Sequence, residues 1–108
     1  MEKVKIKTIE ISSANILRVS VGTNCPKGGD SGHGGRTYFK LDNVAGTTMV
    51  VKVNSKEMDL SNNGTLEIIL SGDTECATFL ESLKFAVNAL ENQLNEAKQK
   101  INEQVIDI

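Results

Sequence analysis

Cys76, Leu80, Leu83, Val87, Leu90, Leu94, Ala97 and Ile101 follow one another at intervals of four, three, four, three, four, three and four. Apolar residues recurring every three and a half positions for nearly four repeats mark a helix that lays a seam against another helix. The pattern predicts a helix that starts near Thr74, where Ser71 or Asp73 can accept hydrogen bonds from the first free backbone amides, and that runs to about residue 105. At about 1.5 Å of rise per residue such a helix is on the order of 45 Å long. A sheet domain of about 70 residues, with a radius of gyration of about 11 Å, covers only part of it. Beyond Leu90 the residues off the seam are polar, so the distal half is expected to find another chain; a solvated tail is the plain alternative.

Ahead of residue 73 the period is two. Lys3 to Glu10, Ile16 to Val21, Arg36 to Leu41, Thr47 to Val53 and Thr65 to Leu70 read as strands. Ser12-Ser13-Ala14-Asn15, Asn43-Val44-Ala45-Gly46 and Ser61-Asn62-Asn63-Gly64 punctuate them. The brief first connection makes the opening pair an antiparallel hairpin. The expected fold class is α+β: a five-stranded antiparallel meander over residues 1–72, then a helix over 73–105 that oligomerises, all in one domain spanning 1–108.

Composition sets the limits of function. A chain of 108 residues with 12 Lys+Arg against 14 Asp+Glu carries a net charge of −2 and offers no broad basic surface, so no DNA or RNA partner is expected. No apolar run approaches the roughly 20 residues that cross a bilayer, and Met1-Glu2-Lys3-Val4-Lys5 leads into alternation, so a cytosolic protein without a membrane partner is expected. Aromatic residues make up 4% of the chain, which predicts a thin core and oligomerisation as the remedy. Cys25 and Cys76 are too few and too far apart in sequence for a disulfide framework or a structural zinc site, and read as free thiols.

Residues 23–36 form the odd segment, with the chain's one proline and five of its nine glycines. Gly28-Gly29-Asp30-Ser31-Gly32-His33-Gly34-Gly35-Arg36-Thr37 concentrates backbone amides that glycine frees to converge on an anion, and Arg36 adds a forked, permanently charged donor for phosphate oxygens. The segment is neither a Walker loop nor a dinucleotide fingerprint. A glycine-rich loop without function is the bland alternative. Gly29-Asp30-Ser31-Gly32 has the look of a trypsin-type nucleophile segment, but the only histidine, His33, sits two residues after the serine and cannot complete a triad. Cys25 near a positive nest with His33 and Asp30 would be an enzyme's nucleophile, base and carboxylate, though nothing in the sequence fixes their geometry. No metal site and no cofactor is expected, since paired-ligand spacing is missing, and His33 reads as a hydrogen-bonding or stacking group. On the helix, Phe79 and Phe85 flank the seam with Asn88, Asn92 and Asn95 beyond, a set able to stack on a purine and pair with adenine. The alternative is that the rings fill the core.

The glycine-rich loop between strands, followed by Gly72-Asp73-Thr74-Glu75 opening a long terminal helix, resembles the phage Thoeris anti-defence proteins of the first type, over nearly the whole chain. The resemblance implies a non-enzymatic sponge in the cytoplasm of the infected bacterial host. Such a protein traps glycocyclic ADP-ribose signals made by TIR-domain enzymes without destroying them, and some members also hold cyclic trinucleotides. It further implies dimers through the terminal helices and hexamers built from them, with the ligand between protomers. Carried over by position, Gly34, Gly35, Arg36 and Thr37 form the phosphate-side group. Phe85 with Asn92 or Asn88 faces the base, with Phe79 as substitute. Arg18 and Arg36 are the only arginines, so a site that needs several guanidinium groups must draw on different chains or on lysine. Two other readings compete with the sponge: a nucleotide-cleaving enzyme using Cys25, His33 and Asp30, and a coiled-coil interaction module.

Overall fold

The computed structural model describes residues 2–13, 15–28, 34–96 and 106–108. Its order is β1 (Lys7–Ile11), β2 (Leu17–Thr23), β3 (Arg36–Asn43), β4 (Val50–Val53), β5 (Lys56–Asp59), β6 (Thr65–Ser71) and α1 (Asp73–Asn95). The chain divides into two compact units, Met1–Ala77 and Thr78–Ile108. The fold is α+β, with a four-stranded antiparallel sheet in the order β1-β2-β3-β6, a separate β4-β5 hairpin and one helix towards the C-terminus.

This is not one meander of five strands. The expected fourth strand leaves the main sheet and pairs with Lys56–Asp59. Asn54 and Ser55 both take positive φ, at 51° and 69°. That is the backbone of a two-residue turn whose twist matches that of its flanking strands. The first strand also begins later than Lys3. Gly22 explains why residues 2–6 still matter: a side chain there would run into the carbonyl of Lys5 and the methyl of Ile6, so this segment passes close over the end of β2.

Asn43 anchors the excursion. It is 2% exposed, and its amide donates to the carbonyls of Thr47 and Leu60 while its oxygen accepts the Thr47 N–H at 2.9 Å. A buried amide with its donors and acceptor satisfied specifies local geometry where apolar packing is thin.

Strand register sorts the main sheet into two faces. Ile9, Val19, Leu41 and Leu66 share one with Val21, Phe39 and Ile68. Thr8, Ser20, Lys40 and Glu67 share the other with Tyr38 and Ile69. Among the described residues no apolar side chain is fully buried, and Ile9 is 63% exposed even on the apolar face. Among the described residues the core is thin, as expected.

The helix spans Asp73–Asn95, and Glu96 is not part of it; the expected continuation through residues 97–105, with Ala97 and Ile101 of the seam, lies outside the described residues. Leu80, Val87, Leu90 and Leu94 of the seam are all exposed, Leu94 at 81%. No helix among the described residues is long and apolar enough to cross a membrane.

Candidate functional site

Alternation along β3 puts Arg36, Tyr38 and Lys40 on the same face of the sheet, opposite Ser71, Ile69 and Glu67 of β6. Beside them lies a cavity of about 550 Å³ walled by Glu2, Val4 and Ile6 from the leading segment and by Ser20 and Ile69 from the neighbouring strands. Arg36 and Thr37 line it with Tyr38 and Lys40. Its volume lies within the roughly 300–1,000 Å³ of small-molecule sites, and it joins apolar walls to a few polar groups.

The polar groups are held in place. The Arg36 N–H donates to the side-chain oxygen of Asn24 at 2.7 Å, and its guanidinium donates to the Gly35 carbonyl at 3.0 Å. Lys40 lies 3.6 Å from the Asp42 carboxylate. The Tyr38 hydroxyl donates to Glu67 at 2.6 Å, and that bond, with burial and the nearby carboxylates, pushes the phenol up to about 12. Tyr38 is thus a neutral donor with a fixed ring orientation. The Thr37 hydroxyl, expected on the phosphate side, shares a hydrogen bond with Thr23 at 3.0 Å.

Two of the described loop amides are engaged as well. Lys27 N–H donates to both oxygens of Asp73, at 3.1 and 3.0 Å, and Gly28 N–H donates to Oδ2 at 2.9 Å. Asp73 was one of two expected caps of the helix, with Ser71; instead it is the first helical residue and its carboxylate serves the loop. Gly28 first and Lys27 second hold that carboxyl below its usual range. Part of the anion-binding capacity that glycine confers on this loop is therefore occupied by the protein's own carboxylate. Gly35 is buried, and a side chain there would lie 2.5 Å from Cys25 Sγ and 2.9 Å from Asp73 Oδ1. Gly34 is partly exposed. Asp30 and His33 lie outside the described residues.

The helical candidates belong to the second unit. Phe79 is half-buried, Phe85 is 74% exposed, and Asn88 and Asn92 are exposed. At about 100° per residue, Phe85, Asn88 and Asn92 fall on the stripe opposite the seam. Contrary to the expectation that both rings flank the seam, Phe85 does not; only Phe79 does. A smaller cavity of about 290 Å³ lies along the same helix, lined by Leu83, Lys84, Val87 and Asn88.

Tyr38, Lys40 and Ile69 were not among the sequence candidates. The signal that could have found them is the spacing Arg36, Tyr38, Lys40 in a strand, which sets a ring between two cations on one face. Among the described residues no cluster of three or more His, Cys, Asp or Glu side chains is arranged to hold a metal ion. Comparison with known protein families, with curated proteins and with solved structures found no match to this chain.

Proposed function

We propose that this protein is an anti-defence sponge that binds glycocyclic ADP-ribose and sequesters it uncleaved, so that Thoeris-type immunity is not triggered. The observation that carries the reading is the cavity beside Arg36, Tyr38 and Lys40. Two cations answer a pyrophosphate, a ring between them offers a stacking surface for a base, and Val4, Ile6 and Ile69 supply apolar wall. Binding of this kind calls for no nucleophile, base or metal.

Assembly belongs to the same proposal. Sequestration requires tight binding, and a nanomolar dissociation constant corresponds to about −12 kcal/mol. Enclosing the ligand between preorganised chains reduces the ordering cost that an open cavity would carry. The exposed seam of Leu80, Val87, Leu90 and Leu94 and the exposed Ile9 on the sheet's apolar face support pairing between copies. In this reading Phe85 with Asn92 or Asn88, or Phe79 in its place, meets the base on the side away from Tyr38, and the assembly is a homo-oligomer of dimers in the host cytoplasm.

The test is calorimetry with glycocyclic ADP-ribose on the whole protein, followed by heat denaturation and chromatography of the released ligand. Tight binding and recovery of intact ligand are expected, and Arg36→Ala should weaken affinity more than about tenfold, because a charged hydrogen bond to phosphate is worth about 1.5–3 kcal/mol. No heat of binding, or recovery of a new product, would overturn the reading.

A further inference from the structure

Cys25 and Cys76 are 51 positions apart in sequence, yet two atoms each contact both residues. The Gly72 carbonyl lies 3.7 Å from Cys25 Sγ and accepts the Cys76 N–H at 3.2 Å. The Thr23 hydroxyl accepts the Cys25 N–H at 3.2 Å and lies 3.6 Å from Cys76 Sγ. Both thiols are free and only partly buried, and both belong to the first compact unit. Gly35 leaves the space that the Cys25 sulfur fills.

We propose that Cys25 and Cys76 form a dithiol site whose substrates are low-molecular-weight disulfides such as oxidised glutathione, and that its product is an intramolecular Cys25–Cys76 disulfide tying the base of the glycine-rich loop to the first turn of α1. The two sulfurs have different roles. Hydrogen bonds from Thr37 and then Thr23 favour the Cys76 thiolate and pull its pKa down. At Cys25 the Thr23 hydroxyl acts in the same direction, but burial and the Asp73 carboxylate outweigh it and push the thiol up. Cys76 is therefore the attacking sulfur and Cys25 the resolving one.

The Cys76 thiolate attacks one sulfur of glutathione disulfide, the S–S bond breaks, and one glutathione leaves as a thiolate. Cys25 then attacks the Cys76 sulfur of the mixed disulfide and expels the second glutathione. The two thiol protons pass to the departing glutathiones, so the protein loses two electrons and two protons, and one disulfide becomes two thiols. In a reducing compartment such a bond is transient and responds to the thiol poise. This chemistry is independent of what the cavity holds.

The experiment incubates the whole protein with excess oxidised glutathione, alkylates what remains, and measures intact mass without reductant. The expected product has lost two hydrogens, takes no alkyl group, and yields a Cys25–Cys76 cross-linked peptide pair on digestion. Cys25→Ser should stop at one glutathione on Cys76, and should react faster than Cys76→Ser. Wild-type protein carrying two glutathiones, wild-type thiols still alkylated under conditions that load Cys25→Ser, or cross-links between chains instead of within one would overturn the proposal.

Discussion

Asp73, the first residue of the helix, accepts the backbone N–H of Gly28 through its carboxylate at 2.9 Å. Together with the paired bonds from Lys27, this makes the helix start and the loop base one hydrogen-bonded unit. Two amides at the base of the glycine-rich loop are thus satisfied from inside the protein, while Arg36 and Lys40 are the cationic residues that line the cavity.

Asp73→Ala is expected to raise amide hydrogen exchange at Lys27 and Gly28 about tenfold or more, as loss of a charged acceptor leaves both donors to water. The wild-type protein should show the same loosening in acid. The folded-state pKa lies below the unfolded one, so the stabilisation is complete above about pH 4 and disappears as the pH falls through the folded value. Exchange rates at these two amides that stay unchanged in the variant would show that the bonds do not hold the loop.

Tyr38 is the chain's single tyrosine, so phenolate absorbance reports it alone. Its titration is expected near 12, falling towards the ordinary value of about 10 in Glu67→Gln, where the carboxylate that favours the protonated phenol is gone. The sign follows directly: the raised folded pKa supports stability below about pH 10 and that support is lost as the pH rises through the folded value. A wild-type midpoint near that of free tyrosine would remove the Glu67 bond.

Asn43→Ala should destabilise the fold by about 2–4 kcal/mol, since it strands two carbonyls and an N–H whose partner is a 2% exposed side chain. Urea unfolding checks this through the midpoint at constant slope. A loss below about 1 kcal/mol would mean that water replaces the amide readily.

Glutamate at Leu90 and Leu94 together is expected to turn the assembled protein into monomers in light scattering while leaving the far-ultraviolet spectrum of the sheet intact. Both residues are exposed in the isolated chain, so neither substitution breaks a buried contact within it. If the wild-type protein is itself monomeric, the seam does not pair.

Much of the main sheet was legible because strands such as Leu17–Thr23 and Thr65–Ser71 alternate strongly, and a helix with a regular seam announces itself. The β4-β5 hairpin was half-hidden. Its turn is Asn54-Ser55 without glycine, and Lys56-Glu57-Met58-Asp59 has no β-branched residue to signal a strand. At the site, Arg36 was legible as the cation beside a glycine-rich loop, whereas Tyr38 and Lys40 acquire meaning only once strand register sets them on one face. The clamp by Asp73 and the meeting of Cys25 with Cys76 depend on contacts between segments more than forty residues apart, which no local pattern encodes.

The chain leaves the main sheet after Asn43 and rejoins it at Thr65, and within that excursion Thr47 and Leu60 are both tied to the side-chain amide of Asn43. The span between is closed at its base a second time, where Leu60 N–H donates to the Met49 carbonyl and Met49 N–H to the Ser61 hydroxyl, and it behaves as a cassette. Its length and lettering can change at small entropic expense while β3 and β6 keep their pairing, which makes it the natural place to splice in an epitope or a fluorophore-bearing loop.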